Sequence, residues 1–111
     1  MVNTLTLVGR IVFDPELRTS ESGKNVTTIT LALQRPYKNA ETGAYDADFI
    51  RCTLWDGIAE NTVLYCQKGS VVGVRGRLAQ KTFRYEEEKS FNYPEVIAEK
   101  ISFIQHKKAE A

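Results

Sequence analysis

Histidine, tryptophan and methionine occur once each in the 111 residues, cysteine twice and proline three times. Cys52 and Cys66 stand fourteen positions apart with no CxxC pair, and His106 is the single histidine that could join them. A zinc site is therefore not expected, no other metal or cofactor is implied, and free thiols in a reducing cytoplasm are the expectation. No apolar run approaches the ~18–20 residues of a membrane-spanning helix, which argues against a membrane partner. The opening Met1-Val2-Asn3-Thr4 lacks the basic flank and apolar stretch of a signal peptide. Catalytic groups are scarce as well. One histidine near the end of the chain assembles no triad, and it reads as a solvated residue. Gly73-Val74-Arg75-Gly76 lacks the Lys-Ser/Thr of a phosphate-cradling loop. Asp46 and Asp48 beside a loop read as solubilising charges. An enzyme is not expected.

What is present is an ordinary globular composition, 42% hydrophobic and 26% charged, with a formal net charge of +1. That balance excludes a generally basic polyanion coat and an acidic disordered chain. It is an average over unlike segments, however. Residues 41–60 carry one basic and five acidic side chains, whereas residues 61–85 carry five basic ones and no acid. The plain alternative for such a basic stretch is a solvated face.

Side-chain alternation places the strands. Leu5, Leu7, Gly9 and Ile11 share one parity, as do Ile29, Leu31 and Leu33, with threonines between. Asp14-Pro15 and Ser22-Gly23 mark turns between these runs. Residues 36–47 read as a long hairpin loop, and Asp48 to Trp55 as a third strand. Three- and four-residue spacing from Ile58 to Cys66 predicts a short helix, capped by Asp56 and ended by Lys68-Gly69. Ser70 to about Thr82 is a fourth strand, with Gly73 and Gly76 suggesting a bend or bulge. A charged loop, Glu86 to Ser90, leads to a fifth strand over about Phe91–Ala98, where Pro94 argues for an edge or a bulge. Ile101, Phe103 and Ile104 form a last apolar segment. The order predicts an all-β fold, a five-stranded OB-type barrel with one short helix between strands 3 and 4, over a generic α+β sheet. The domain spans 1–104, and 105–111 is a short polar tail.

Parity also picks out side chains on the wrong side for a core. Opposite Ile50, Cys52 and Leu54 lie Phe49, Arg51, Thr53 and Trp55. In the fourth strand Arg75, Arg77, Lys81 and Phe83 share the parity opposite to Val72, Val74 and Leu78, provided Gly76 does not shift the register. The long loop adds Arg35, Tyr37 and Lys38. Rings interleaved with cations suit a single nucleic-acid strand, whose unpaired bases stack on aromatic faces while Arg and Lys neutralise phosphates. Bland readings exist for each residue. Trp55 could close the barrel, Phe49 could sit in a subunit interface, and Arg75 and Arg77 could pair with Glu86, Glu87 and Glu88.

Several blocks resemble bacterial single-stranded DNA-binding proteins. They are Leu7-Val8-Gly9-Arg10 followed by Asp14-Pro15-Glu16-Leu17-Arg18, Thr30-Leu31-Ala32, Asp48-Phe49-Ile50-Arg51-Cys52, Ala59-Glu60-Asn61, Lys68-Gly69-Ser70 and Val74-Arg75-Gly76-Arg77-Leu78. The resemblance runs from about residue 1 to residue 104. It implies an OB-fold subunit of a homotetramer that binds single-stranded DNA without sequence preference, in replication, recombination, repair or DNA uptake. By the same alignment, base-stacking rings fall on Tyr37, Phe49, Trp55 and Phe83, and strand-contacting cations near Arg35, Arg51, Lys68 and Lys81. Arg10, Lys38, Arg75, Arg77 and Arg84 complete the expected phosphate contacts. Thr4, Thr6 and Val8, on the other face of the first strand, could pair across a two-fold axis.

The sequence departs from the better-known members, which carry Trp at the places of Tyr37, Phe49 and Phe83. Gly57 stands where members often have a basic residue. Many members also continue into a Gly/Gln/Pro-rich linker and an acidic tip that recruits enzymes. Here Gln105-His106-Lys107-Lys108-Ala109-Glu110-Ala111 stands instead, so recruitment through an acidic tail is not expected. The short form is either natural or truncated, and if natural the chain resembles the short paralogues linked to DNA uptake, or a phage or plasmid version. The competing function is an OB-fold protein-interaction module of a primosome-like complex, with an RNA-binding OB domain as a third option.

Overall fold

The alternating segments become strands that curl into a closed barrel. The computed structural model describes residues 1–105, in the order β1 (Leu5–Ile11), β2 (Arg18–Thr19), β3 (Asn25–Lys38), β4 (Tyr45–Trp55), α1 (Asp56–Tyr65), β5 (Val71–Arg84) and β6 (Ser90–Gln105). The sheet order is β1-β5-β6-β4-β3-β2, and a second pairing of β1 with β3 closes the ring. Five long strands thus make the OB barrel, and α1 follows the third of them. The two-residue β2 is an addition that lies against β3.

Inside are Ile11, Ile29, Leu31, Cys52, Leu54, Val72, Val74, Val96 and Ala98, all buried. Those of β1, β3, β4 and β5 occupy the parities that the sequence marks as apolar, because one side of each strand must leave water. The helix packs against β3, β4 and β6, and its Ala59 and Thr62 are buried. Asp56 does not cap it. Trp55 takes the N-cap position in extended backbone without a side-chain cap bond, and Asp56 is the first helical residue, at φ 52°. Its carboxylate is in the first turn, where the helix dipole favours an acid. The helix also ends earlier than expected. The Cys66 N–H closes onto the Thr62 carbonyl, and Lys68-Gly69 belong to the turn beyond.

Four elements are longer than the sequence suggests. β3 and β4 extend outward to Lys38 and Tyr45, so Arg35, Tyr37 and Lys38 lie on a strand, not in a loop. β5 and β6 pair continuously out to Arg84 and Ser90, forming a second projecting arm. β6 absorbs both the fifth strand and the last apolar segment, and it takes in Gln105, which the sequence assigns to the tail. His106 and the rest of the tail lie outside the described residues. Pro94 is tolerated in β6 because it pairs with Gln80 of β5 at a point where β4 is no longer hydrogen-bonded alongside.

Gly76 marks the bulge expected there, but the extra residue is on β6. Arg75 faces Lys100 and Gly76 faces Ala98, leaving Glu99 over. Register between β1 and β5 runs unbroken from Arg10–Val71 to Leu5–Gly76, so β5 keeps its own parity. The approach is close. A Cβ at Gly76 would run into the Ile97 carbonyl oxygen. Beyond it Leu78 keeps the core parity yet is exposed, because the β1 ladder alongside β5 ends at Leu5–Gly76.

Candidate nucleic-acid interface

β4 builds the centre of the site. Its pleat sends Cys52 and Leu54 inward, and Phe49, Arg51 and Trp55 outward. Phe49 is 64% exposed and Trp55 37%, so neither ring is spent on the core. Phe49 and Arg51 line a cavity of about 300 Å³ together with Thr53, Lys81, Tyr93 and Glu95. Arg18 reaches the same cavity from β2, where it donates to Thr28 Oγ1 at 3.2 Å. Trp55 borders the next concavity along the face, with Arg77, Lys24 and Ile97. Rings and cations therefore alternate from Trp55 to Phe49.

The β5–β6 arm continues the series. Lys81 faces Tyr93 and Phe83 faces Phe91 across the ladder. Phe83 and Phe91 have centroids 5.4 Å apart, and Phe91 also approaches Tyr93 at 6.0 Å and Tyr85 at 6.1 Å. These are tilted, half-exposed ring pairs of the kind favoured by the aromatic quadrupole. The opposite side of the arm is mostly polar, with Gln80, Thr82, Arg84 and Asn92. Arg84 thus lies across the arm from Phe83.

The remaining expected residues are spread more widely. Tyr37, 64% exposed, stands on the β3–β4 arm, where Lys38 Nζ lies 5.7 Å from the Tyr45 ring. Arg35 is committed to Asp48 through two guanidinium nitrogens, the shorter bond 2.7 Å. That bond, with the attendant charge, raises Arg35 and holds the Asp48 carboxyl below its ordinary range. Asp48 is thus a strand partner, and Asp46 likewise accepts from Asn39 Nδ2. Lys81 approaches Glu95 at 3.7 Å. Arg10 Nη1 donates to the Gly69 carbonyl at 2.7 Å, and the Lys68 backbone N–H donates to Asp14 Oδ1. Arg75 borders a different concavity with Thr6, Val8, Lys100 and Ile104, away from the rings. Among the described residues no ion pair joins Arg75 or Arg77 to Glu86, Glu87 or Glu88. Glu86 instead meets Lys89.

The single-strand binding protein family matches residues 2–104. The chain belongs to this family. Single-stranded DNA-binding protein B of Bacillus subtilis (strain 168) is 46% identical over 110 residues, covering 99% of this chain and 96% of that protein. Single-stranded DNA-binding protein 3 of Listeria innocua is 41% identical over 107 residues, covering 96% of this chain and 66% of that one. Single-stranded DNA-binding protein 1 of Staphylococcus aureus (strain COL) is 40% identical, with 99% and 65% covered. All three are named for binding and none for a reaction.

In this member of the family Arg18, Tyr45, Tyr85, Phe91, Tyr93 and Glu95 lie on this face or its arms beyond the residues that the sequence singles out. Parity held the signal for three of them. Phe91, Tyr93 and Glu95 alternate along β6 on the side away from Val96 and Ala98. Arg18 carried no such signal, because a two-residue strand has no period.

Proposed function

We propose that the chain binds single-stranded DNA in a largely sequence-tolerant way, stacking bases on Phe49, Trp55 and Phe83, with Tyr37 on the neighbouring arm. The observation that carries this reading is the alternation of rings and cations along β4 and onto the β5–β6 arm. Unpaired bases present faces to such rings, at ~1–3 kcal/mol per base. Arg51 and Arg77 make no ion pair among the described residues, so their charge is available to phosphates. Lys81 and Arg35 would have to share theirs with a carboxylate. Arg10, Lys38, Lys68, Arg75 and Arg84 stand apart from the central rings, and a DNA contact at any of them needs a longer path over the molecule.

Such a path fits a homotetramer, since winding one strand over several subunits multiplies weak contacts. The exposed Val8 and Ile104 beside Gly73 and Ser102 supply an apolar surface away from the rings. The cellular role we assign is protection of exposed strands in the cytoplasm during replication, recombination, repair or DNA uptake.

Titration of Trp55 fluorescence with oligo(dT) tests the reading. Strong quenching that weakens as salt rises is the expected result. An emission unchanged at saturating oligomer takes Trp55 out of the interface. Phe49→Ala should then weaken binding by ~1–3 kcal/mol without altering the fold, and undiminished affinity would make that ring structural.

A further inference from the structure

A carboxylate is out of place in a track meant for phosphates, yet Glu95 stands in the middle of this one. Its side chain is 14% exposed, and it lines the cavity shared by Phe49, Arg51, Thr53, Lys81 and Tyr93. β4 and β6 pair only at Cys52–Val96 and Thr53–Ile97. The cavity opens where that ladder stops, with Phe49 on one strand and Tyr93 on the other. Thr53 donates to Glu95 Oε2 at 3.4 Å and Lys81 approaches the same oxygen at 3.7 Å. Among the described residues Oε1 has no partner.

From this we infer that the cavity takes a single nucleobase edge-on, and that Glu95 favours a base offering an amino group. The inference rests on the DNA-binding reading above. A carboxylate accepts hydrogen bonds and donates none. It therefore accepts from the exocyclic amino group of cytosine and repels the carbonyl oxygen that uracil or thymine presents at the same position. Arg18 and Arg51 also line the cavity, so a flanking phosphate has cations to meet while the carboxylate faces the base. Lys81, tied to Glu95, positions the carboxylate. The cavity volume of about 300 Å³ lies at the small end of ligand pockets, as a one-base site requires. The track as a whole stays sequence-tolerant, and this one position carries a bias.

Oligo(dC) and oligo(dU) of equal length differ at this edge and share a ring size, so they are the probes. Their affinities are measured by fluorescence anisotropy for the unaltered protein and for Glu95→Gln, with folding checked by circular dichroism. The variant should lower the dC-to-dU affinity ratio about threefold or more, because a neutral amide oxygen accepts more weakly than a carboxylate and the amide N–H can donate to the uracil carbonyl. A smaller change in a folded variant overturns the inference, since a merely structural glutamate would weaken both oligomers alike. Should the variant not fold, the unaltered protein is offered oligomers of N4,N4-dimethylcytosine, which lack the donor. Weaker binding than to dC is expected, and equal binding overturns the assignment. If the unaltered protein binds neither dC nor dU, the DNA-binding reading itself fails. If both bind and only the ratio is unmoved, that reading stands and the base pocket does not.

Discussion

Arg35 and Arg51 come from neighbouring strands, and their surroundings give them different work. Arg51 lies on the ring-bearing face of β4 with no acid paired to it among the described residues. Arg51→Ala should reduce the slope of log affinity against log salt by about 0.7, one phosphate on a single strand. A slope equal to that of the unaltered protein removes Arg51 from the path of the DNA. Arg35 is bound to Asp48, and its replacement should read out first on the acid. The hydrogen bond from Arg35 keeps the Asp48 carboxyl low in the folded protein. Whatever stability that contributes is therefore present above the ordinary carboxylate range, and it fades as pH falls through the depressed folded value. Both side chains are substantially exposed, so the contribution is small. Carbon-13 titration of Asp48 should show its midpoint rise in Arg35→Ala. An unmoved midpoint would mean that the ion pair does not persist in solution. Cys52 offers a third check, since burial pushes its thiol up to about 12. It should resist alkylation near neutral pH until the protein is unfolded, and fast native labelling would contradict its burial.

At the scale of elements, strand parity was the legible part. It separated Phe49, Arg51 and Trp55 from Cys52 and Leu54 without any tertiary information, because the pleat has a period of two. It missed how far the strands run. Residues 36–38 look like loop for their polarity, yet in an arm both faces meet water and no apolar alternation is needed. The Arg35–Asp48 bond was hidden for the same reason. Residues 99 and 100 broke the apparent pattern of β6 because a bulge at Glu99 interrupts its alternation. Asp56 has the chemistry of a cap and fails to be one, since the helix begins a residue sooner than its side chain could serve. Gly76 was readable as a bend but not as a contact. Gly76→Ala drives a Cβ against the Ile97 carbonyl and should cost about 1–3 kcal/mol or more. Gly73→Ala meets nothing nearer than Ile104 Cδ1 at 3.6 Å and should cost far less. Denaturant unfolding of the two variants compares them directly, and equal midpoints would refute the crowding at Gly76.

The proposed homotetramer is tested at the scale of the whole molecule. Val8 and Ile104 are exposed on the side bearing Arg75, remote from Trp55 and Phe49. Light scattering should report a particle about four times the 12.6 kDa chain, and a monomer would rule out the tetramer. Gly73 lies on that surface, so its alanine variant serves as a test of assembly as well as of folding. The two arms have a different consequence. Their turns, residues 39–44 and 85–89, hold none of the buried side chains that fix the barrel. The fold therefore separates a close-packed barrel from two turns that contribute no buried side chain. A reporter dye or a short inserted segment at Glu87 would ride beside the ring series of Phe83, Phe91 and Tyr85 without touching the core, turning the arm into a handle for watching a strand arrive.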